Sequence, residues 1–180
     1  MLHRSSRSRP RAVLPVLLAA VLLLSACAAG SDGETAEGGG TTSAADVKAG
    51  SELRATAEGH TVTVHRTATC ACCGEYEDYL EDIGFTVEQQ LHDELTSVKD
   101  GFGIPEGEGS CHTNEVAGYA AEGHVPADAL LELIEQAPEI DGISLAGMPA
   151  GSPGMPGEQE EPFVVQSFVD GEVIGEFGRY

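Results

Sequence analysis

Three cysteines crowded into four residues, Cys70, Cys72 and Cys73, stand where one hydrophobic period ends and another begins. Before them, Val62 and Val64 alternate with Thr61, Thr63 and His65, the period of a half-buried strand. After them, Tyr76, Tyr79, Leu80 and Ile83 take the i, i+3, i+4, i+7 spacing of one helical face, and Gly84 is placed to stop that helix. The cysteines therefore occupy a strand-to-helix turn. There, unpaired amides and the helix dipole favour thiolate and are expected to lower the thiol pKa values. Thiolate both attacks disulfides and binds soft metals, so this turn is poised for either chemistry.

Downstream, Phe85, Val87 and Leu91 suggest a second strand, and Asp93 is placed to cap a short helix that carries Leu95, Val98 and Phe102 inward. Gly101, Gly103 and Pro105 break the pattern and open a loop delivering Ser110-Cys111-His112-Thr113. The run from Val116 to Glu122 reads as one strand, followed by Gly123-His124-Val125-Pro126. Pro126 suits the first turn of a helix with Leu130, Leu133, Ile134 and Ala137 on one face, ended by Pro138. The segment 147–157 repeats Gly-Met-Pro and fits neither helix nor interior strand. Phe163 to Val169 and Val173 to Phe177 then form a hairpin across Asp170-Gly171, a type I′ dipeptide. This order predicts an α/β, thioredoxin-like sandwich with a C-terminal Met/Gly/Pro loop and hairpin.

The N-terminus is of another kind. Arg4, Arg7, Arg9 and Arg11 precede an apolar run from Ala12 to Leu24, the pattern of a signal peptide over residues 1–26. It ends in Leu24-Ser25-Ala26-Cys27, which looks like a bacterial lipobox with Cys27 as the lipidated residue. Residues 27–56, poor in aromatics and rich in Gly, Ala, Ser, Thr and acids, are expected to form a flexible linker to a domain over 57–180. Cleavage would leave 30 acidic residues against five basic ones. Such a balance argues against nucleic acid, whose phosphates require Lys and Arg. No later stretch is apolar enough to cross a bilayer, which excludes a polytopic membrane protein. The expected location is extracytoplasmic, held to the cell membrane by the N-terminal lipid.

Four thiols remain in the domain: Cys70, Cys72, Cys73 and Cys111. With His112, His124, Met148 and Met155 they make a set of thiolate, imidazole and thioether donors. Thiolate with thioether selects Cu(I), whereas zinc has little use for Met, so the mixture leans toward copper, with zinc or an iron-sulfur cluster as alternatives. Two structural disulfides are the plain alternative, and four cysteines allow three pairings. A thiol-disulfide oxidoreductase is the enzymatic one, because Cys70 and Cys73 have Cys-x-x-Cys spacing. His60, His65 and His92, without soft neighbours, read as surface or structural residues.

Thr69 to Cys73, Ser110 to Thr113, Gly118-Tyr119 with Glu122 to Pro126, and Gly147-Met148-Pro149 with Gly151 to Met155 together resemble the signature blocks of a bacterial metal-binding family of unknown function that includes the exported CopG copper-tolerance proteins. The resemblance covers about residues 60–178. It implies a thioredoxin-like fold and copper handling outside the cytoplasm; a protein that buffers, sequesters or passes on copper is in turn expected to meet a copper-donating or copper-accepting partner. By motif position it implies Cys70, Cys72, Cys73 and Cys111 as sulfur ligands, with His112, His124, Met148 and Met155 as auxiliaries. This chain departs from the family pattern at Ala71, where Gly is usual, and at Tyr76, where Trp is usual. Glu75, Glu77 and Asp78 stand where basic residues are common.

Overall fold

The computed structural model describes residues 44–180, and of the side chains of residues 44–49 and 51 nothing is said. The signal peptide, Cys27 and most of the expected linker lie outside the described residues. Helix α1, Ala44–Ala57, occupies the remainder of that stretch, so the linker reading is corrected over residues 44–56. Composition argued against order there, yet Leu53 packs against the core and Ala57 is wholly buried.

Beyond α1 the chain runs β1 (Thr61–Thr67), α2 (Ala71–Ile83), β2 (Thr86–His92), α3 (Thr96–Gly101), β3 (Thr113–Val116), β4 (Tyr119–Glu122), α4 (Ala127–Gln136), β5 (Gly142–Ser144), β6 (Val164–Val169) and β7 (Glu172–Arg179). These strands make one mixed seven-stranded sheet in the order β2-β1-β3-β4-β5-β6-β7. The β1/β2 and β4/β5 pairs are parallel and the others antiparallel. The architecture is mixed α/β, as the alternation of periods predicted.

The alternating valines do what their period requires. Val62 and Val64 are fully buried with Tyr76 and Leu80 of α2, Leu130 and Leu133 of α4, and Ile143 of β5. Burying each leucine stabilises by roughly 1.5–3 kcal/mol, so α2 and α4 are held to the sheet mainly by apolar area. Helix α2 ends at Gly84 in the left-handed conformation, as expected.

Three local expectations are corrected. The run 116–122 is two strands and not one, because the chain reverses at Ala117 (φ 51°) and Gly118 (φ 88°). Both residues have the positive φ of a type I′ turn, and Gly118 tolerates it at no steric cost. Ala in the first position is a weak turn signal, which hid the hairpin. Helix α3 is opened by Glu94 and not by Asp93: the Thr96 amide donates to Glu94 Oε2 at 2.7 Å. The three-residue strand β5, too short to show a period, was not anticipated. The C-terminal hairpin turns at Asp170 (φ 51°) and Gly171 (φ 77°), where it was expected.

Candidate metal centre

Cys70 is the residue preceding α2, and Cys72 and Cys73 lie in its first turn. A helical turn brings residues three apart onto one side, and Cys70 and Cys73 are joined as a disulfide. Of the three pairings open to four cysteines, this is the Cys-x-x-Cys one. Cys72 and Cys111 are free thiols. Cys72 Sγ stands 3.7 Å from Cys70 Sγ and 3.6 Å from Cys111 Sγ, and Cys73 Sγ is also 3.6 Å from Cys111 Sγ. All four sulfurs lie within 4.8 Å of one another.

Cys111 belongs to a second group as well. Its Sγ lies 3.3 Å from His112 Nδ1 and 3.1 Å from His124 Nε2. The two imidazoles meet edge to face at 4.6 Å between centroids, and Tyr76 packs on both rings, at 4.7 Å from His112 and 5.4 Å from His124. One sulfur is thus common to a four-thiol cluster and a Cys-His-His cluster.

The orientation of His124 has a visible cause. Its Nδ1 lies 2.7 Å from the Pro153 carbonyl, which can only accept, so Nδ1 carries the proton and Nε2 offers its lone pair to Cys111. The carbonyl belongs to the Gly-Met-Pro loop, which packs against the start of α2. A Cβ at Gly154 would stand 2.7 Å from the Tyr76 backbone nitrogen, so only glycine, at φ 75°, lets the two backbones come this close. The loop's observed contribution to the cluster is therefore a backbone carbonyl. Met148 is half exposed beside Gly147, whose carbonyl accepts from Ser110 Oγ at 2.5 Å. Met155 lines a hollow on the acidic side of α2 with Glu75, Asp78 and Asp82.

Cys111 is held by buried polar groups from distant elements. Glu122, with no exposure, accepts hydrogen bonds from the Ser110 amide at 2.6 Å and from Thr113 Oγ1 at 2.6 Å, and forms an ion pair with Lys99 of α3. Asn114 Nδ2 donates to the Ala121 and Gly123 carbonyls at 2.9 and 3.1 Å. From α2, Tyr76 donates to the Val125 carbonyl at 2.8 Å, and Tyr79 Oη accepts from the Ala127 amide at 2.9 Å, tying down the segment that bears His124. Sequence reasoning assigned no role to Glu122, Lys99 or Asn114. The one signal for Glu122 was a carboxylate inside an otherwise apolar strand.

The lowered thiol pKa expected at the helix turn does not extend to Cys111. Burial first, and then the neighbouring Cys72 thiol, push it up to about 12. The hydrogen bonds from Ser110 and from its own backbone, which favour the thiolate, are outweighed by that desolvation. Burial, with help from His124 and Lys99, pushes His112 down to about 3, and burial also lowers His124 against the pull of the Pro153 carbonyl. Both imidazoles are therefore neutral near pH 7, the state in which a ring nitrogen can bind a metal. Of the acids expected to surround the thiols, Glu77 is buried and engaged elsewhere. It takes two hydrogen bonds from Arg66 at 2.8 and 3.1 Å and two from Gln89 Nε2 at 3.2 and 3.0 Å.

Of the two readings open for His65 and His92, surface or structural, the structure favours the second. His65 is only 7% exposed, and its Nδ1 lies 3.1 Å from His92 Nε2.

A family model described as a protein of unknown function, DUF411, matches residues 108–155, the segment holding Cys111, both clustered histidines and the Gly-Met-Pro loop. No curated protein matches the chain. Two solved structures of the copper resistance protein CopG are similar along nearly their whole length. Form 2 is 37% identical, covers 68% of this chain and 99% of its own, and superposes with a TM-score of 0.62. Form 1 is 37% identical, covers 67% and 96%, and has a TM-score of 0.60. The chain belongs to this family of unknown function, DUF411, which includes the CopG-type copper proteins.

Proposed function

We propose that this protein binds Cu(I) through Cys70, Cys72, Cys73 and Cys111, with His112 and His124 completing the donor set, and so buffers, sequesters or passes on copper. The observation that carries the reading is the position of Cys111 Sγ, within 3.6 Å of two other sulfurs and within 3.3 Å of two imidazole nitrogens. Thiolate sulfur can bridge metal ions, and a sulfur shared between two donor groups is placed to do so. Soft sulfur with neutral imidazole suits copper, and the copper-resistance relatives support that choice over zinc or iron-sulfur. Met148 and Met155 are auxiliary thioethers in this reading, at the mouth of the site.

The Cys70–Cys73 disulfide gives the site two states. Oxidised, it offers two thiols; reduction by two electrons and two protons supplies four. This pairing is also what favours the second reading, a thiol-disulfide oxidoreductase in which Cys70 is the attacking thiolate and Cys73 resolves the mixed disulfide. A thioredoxin-like fold serves both readings. It is supported by the order β1-α2-β2-α3-β3-β4-α4 with strands arranged β2-β1-β3-β4. Cleavage after Ala26, lipid on Cys27, an extracytoplasmic location and a copper-exchanging protein partner complete the proposal. Among the described residues no helix is long and apolar enough to cross a membrane.

The test is anaerobic titration of the reduced full chain with Cu(I) against a competing chelator, beside a variant with Cys70, Cys72, Cys73 and Cys111 all replaced by serine. Tight uptake lost in the variant is the expected result. Failure of the wild type to compete, together with turnover of a disulfide substrate, would transfer the site to thiol exchange.

A further inference from the structure

On the face of the sheet opposite Val62 and Val64 lies a pair of imidazoles that the sulfur site does not use. His65 of β1 and His92 of β2 are separated by 3.1 Å between Nδ1 and Nε2, with ring centroids 5.3 Å apart and planes 27° from parallel. The difference between those distances is taken up by two ring radii, so both nitrogens lie close to the line joining the rings. The lone pair of one thus points at the other, with one proton between them.

Phe102, the residue that follows α3, closes the pocket edge-on, 5.4 Å from the His65 ring. His65 is 7% exposed and its Nε2 has no hydrogen-bond partner, so Nδ1 carries the only polar interaction of the ring. His92 is half-buried at the end of β2, an outermost strand of the sheet.

We propose that His65 and His92 form a second copper site, in which one Cu(I) takes the place of the shared proton between His65 Nδ1 and His92 Nε2 in a near-linear, two-coordinate arrangement, that proton moving to the far nitrogen of the ring that carried it so that both imidazoles stay neutral. Two metal-nitrogen bonds of about 2.0 Å require the nitrogens to part by under about 1 Å, a displacement the edge position of His92 permits. Coordination number selects the ion. Among the described residues no third His, Cys, Asp or Glu donor joins this pair within 4.8 Å, and burial at His65 leaves little room for water. Zinc prefers four ligands, whereas a d10 monovalent copper ion accepts two opposed imidazoles. The choice of copper rests on the function proposed above; the site itself stands on the histidine geometry alone.

The test uses the full chain with all five cysteines replaced by serine, beside the wild type, each with and without His92→Ala. Every protein is titrated anaerobically with Cu(I) against a chelator while proton-nitrogen correlation spectra follow the imidazole nitrogens. The expected result is a shift of His65 Nδ1 and His92 Nε2 at one equivalent in the serine background. His92→Ala should cost one equivalent in both backgrounds. Unmoved imidazole resonances, or an unchanged stoichiometry in wild type carrying His92→Ala, would reduce the pair to a hydrogen bond and overturn the site. Uptake by the histidines without uptake by the cysteines would instead refute the sulfur reading alone.

Discussion

The two halves of the sulfur cluster are built by different means. Cys70, Cys72 and Cys73 owe their proximity to one helical turn, so their geometry is local and survives as long as α2 does. Cys111 is brought to them from 38 residues away and is kept there by Glu122, Thr113, Asn114 and Lys99, none of which touches a sulfur. Local geometry is robust and cheap to encode. The distant half carries the imidazoles and therefore decides which metal the cluster suits, and it depends on a buried polar network that must be complete to be stable.

The sharpest way to break this comparison is Cys111→Ser, which removes the sulfur common to both clusters. Copper uptake in the chelator competition should be lost, whereas Cys72→Ser should weaken it and leave measurable binding. Equal losses would mean that the shared sulfur has no special place. Next in size, Glu122→Ala removes the acceptor of the Ser110 amide and the Thr113 hydroxyl, and leaving a buried donor unsatisfied costs about 1–3 kcal/mol. Urea denaturation should show a loss of that order, with Glu122→Gln losing less. An unaffected midpoint would show that the distant half does not need the network.

The pH dependence tests the same half without a mutation. His112 has a folded pKa near 3 against an ordinary value of 6.5. Above pH 6.5 neither state binds the proton and stability is complete. As pH falls from 6.5 toward 3 the unfolded chain takes up a proton that the folded protein refuses, so stability declines by up to about 1.4 kcal/mol per pH unit. His124 and His65, shifted in the same direction, add to the decline. Chemical denaturation of the apoprotein at successive pH values should show this slope, shallower in His112→Leu; a flat profile would contradict neutral burial. The smallest expected effect is that of Tyr76→Phe, which deletes the hydrogen bond to the Val125 carbonyl for about 1 kcal/mol. Its copper affinity should change little, because the ring that packs on the histidines remains.

The same division decides what could be read from the sequence. Wherever structure follows from neighbours along the chain, the residues announced it: the strand before Cys70, the helix from Ala71 to its stop at Gly84, and the Asp170-Gly171 hairpin. The cysteine and histidine donors were visible as residue types, and their convergence was legible only through the family resemblance. Partnerships between distant residues were not. Glu122 shows only as a carboxylate ending an apolar run until Ser110 and Thr113 are brought to it, and His65 stays open between surface and structural until β2 sets His92 beside it. The Ala117 reversal was hidden because it is stabilised by the pairing of β3 with β4 more than by its own dipeptide. The rise in the Cys111 pKa follows from desolvation, which has no signature in a string of letters.

The hold of the Pro153 carbonyl on His124 carries one more implication. A backbone atom sets the direction of the imidazole, and every residue, proline included, presents the same carbonyl through the same peptide geometry. The side chains of the surrounding loop are thereby released from aiming the ring. Met148 and Met155 can be exchanged for harder or bulkier groups while the aim of His124 stays as it is. The loop works as an interchangeable collar on a fixed mount.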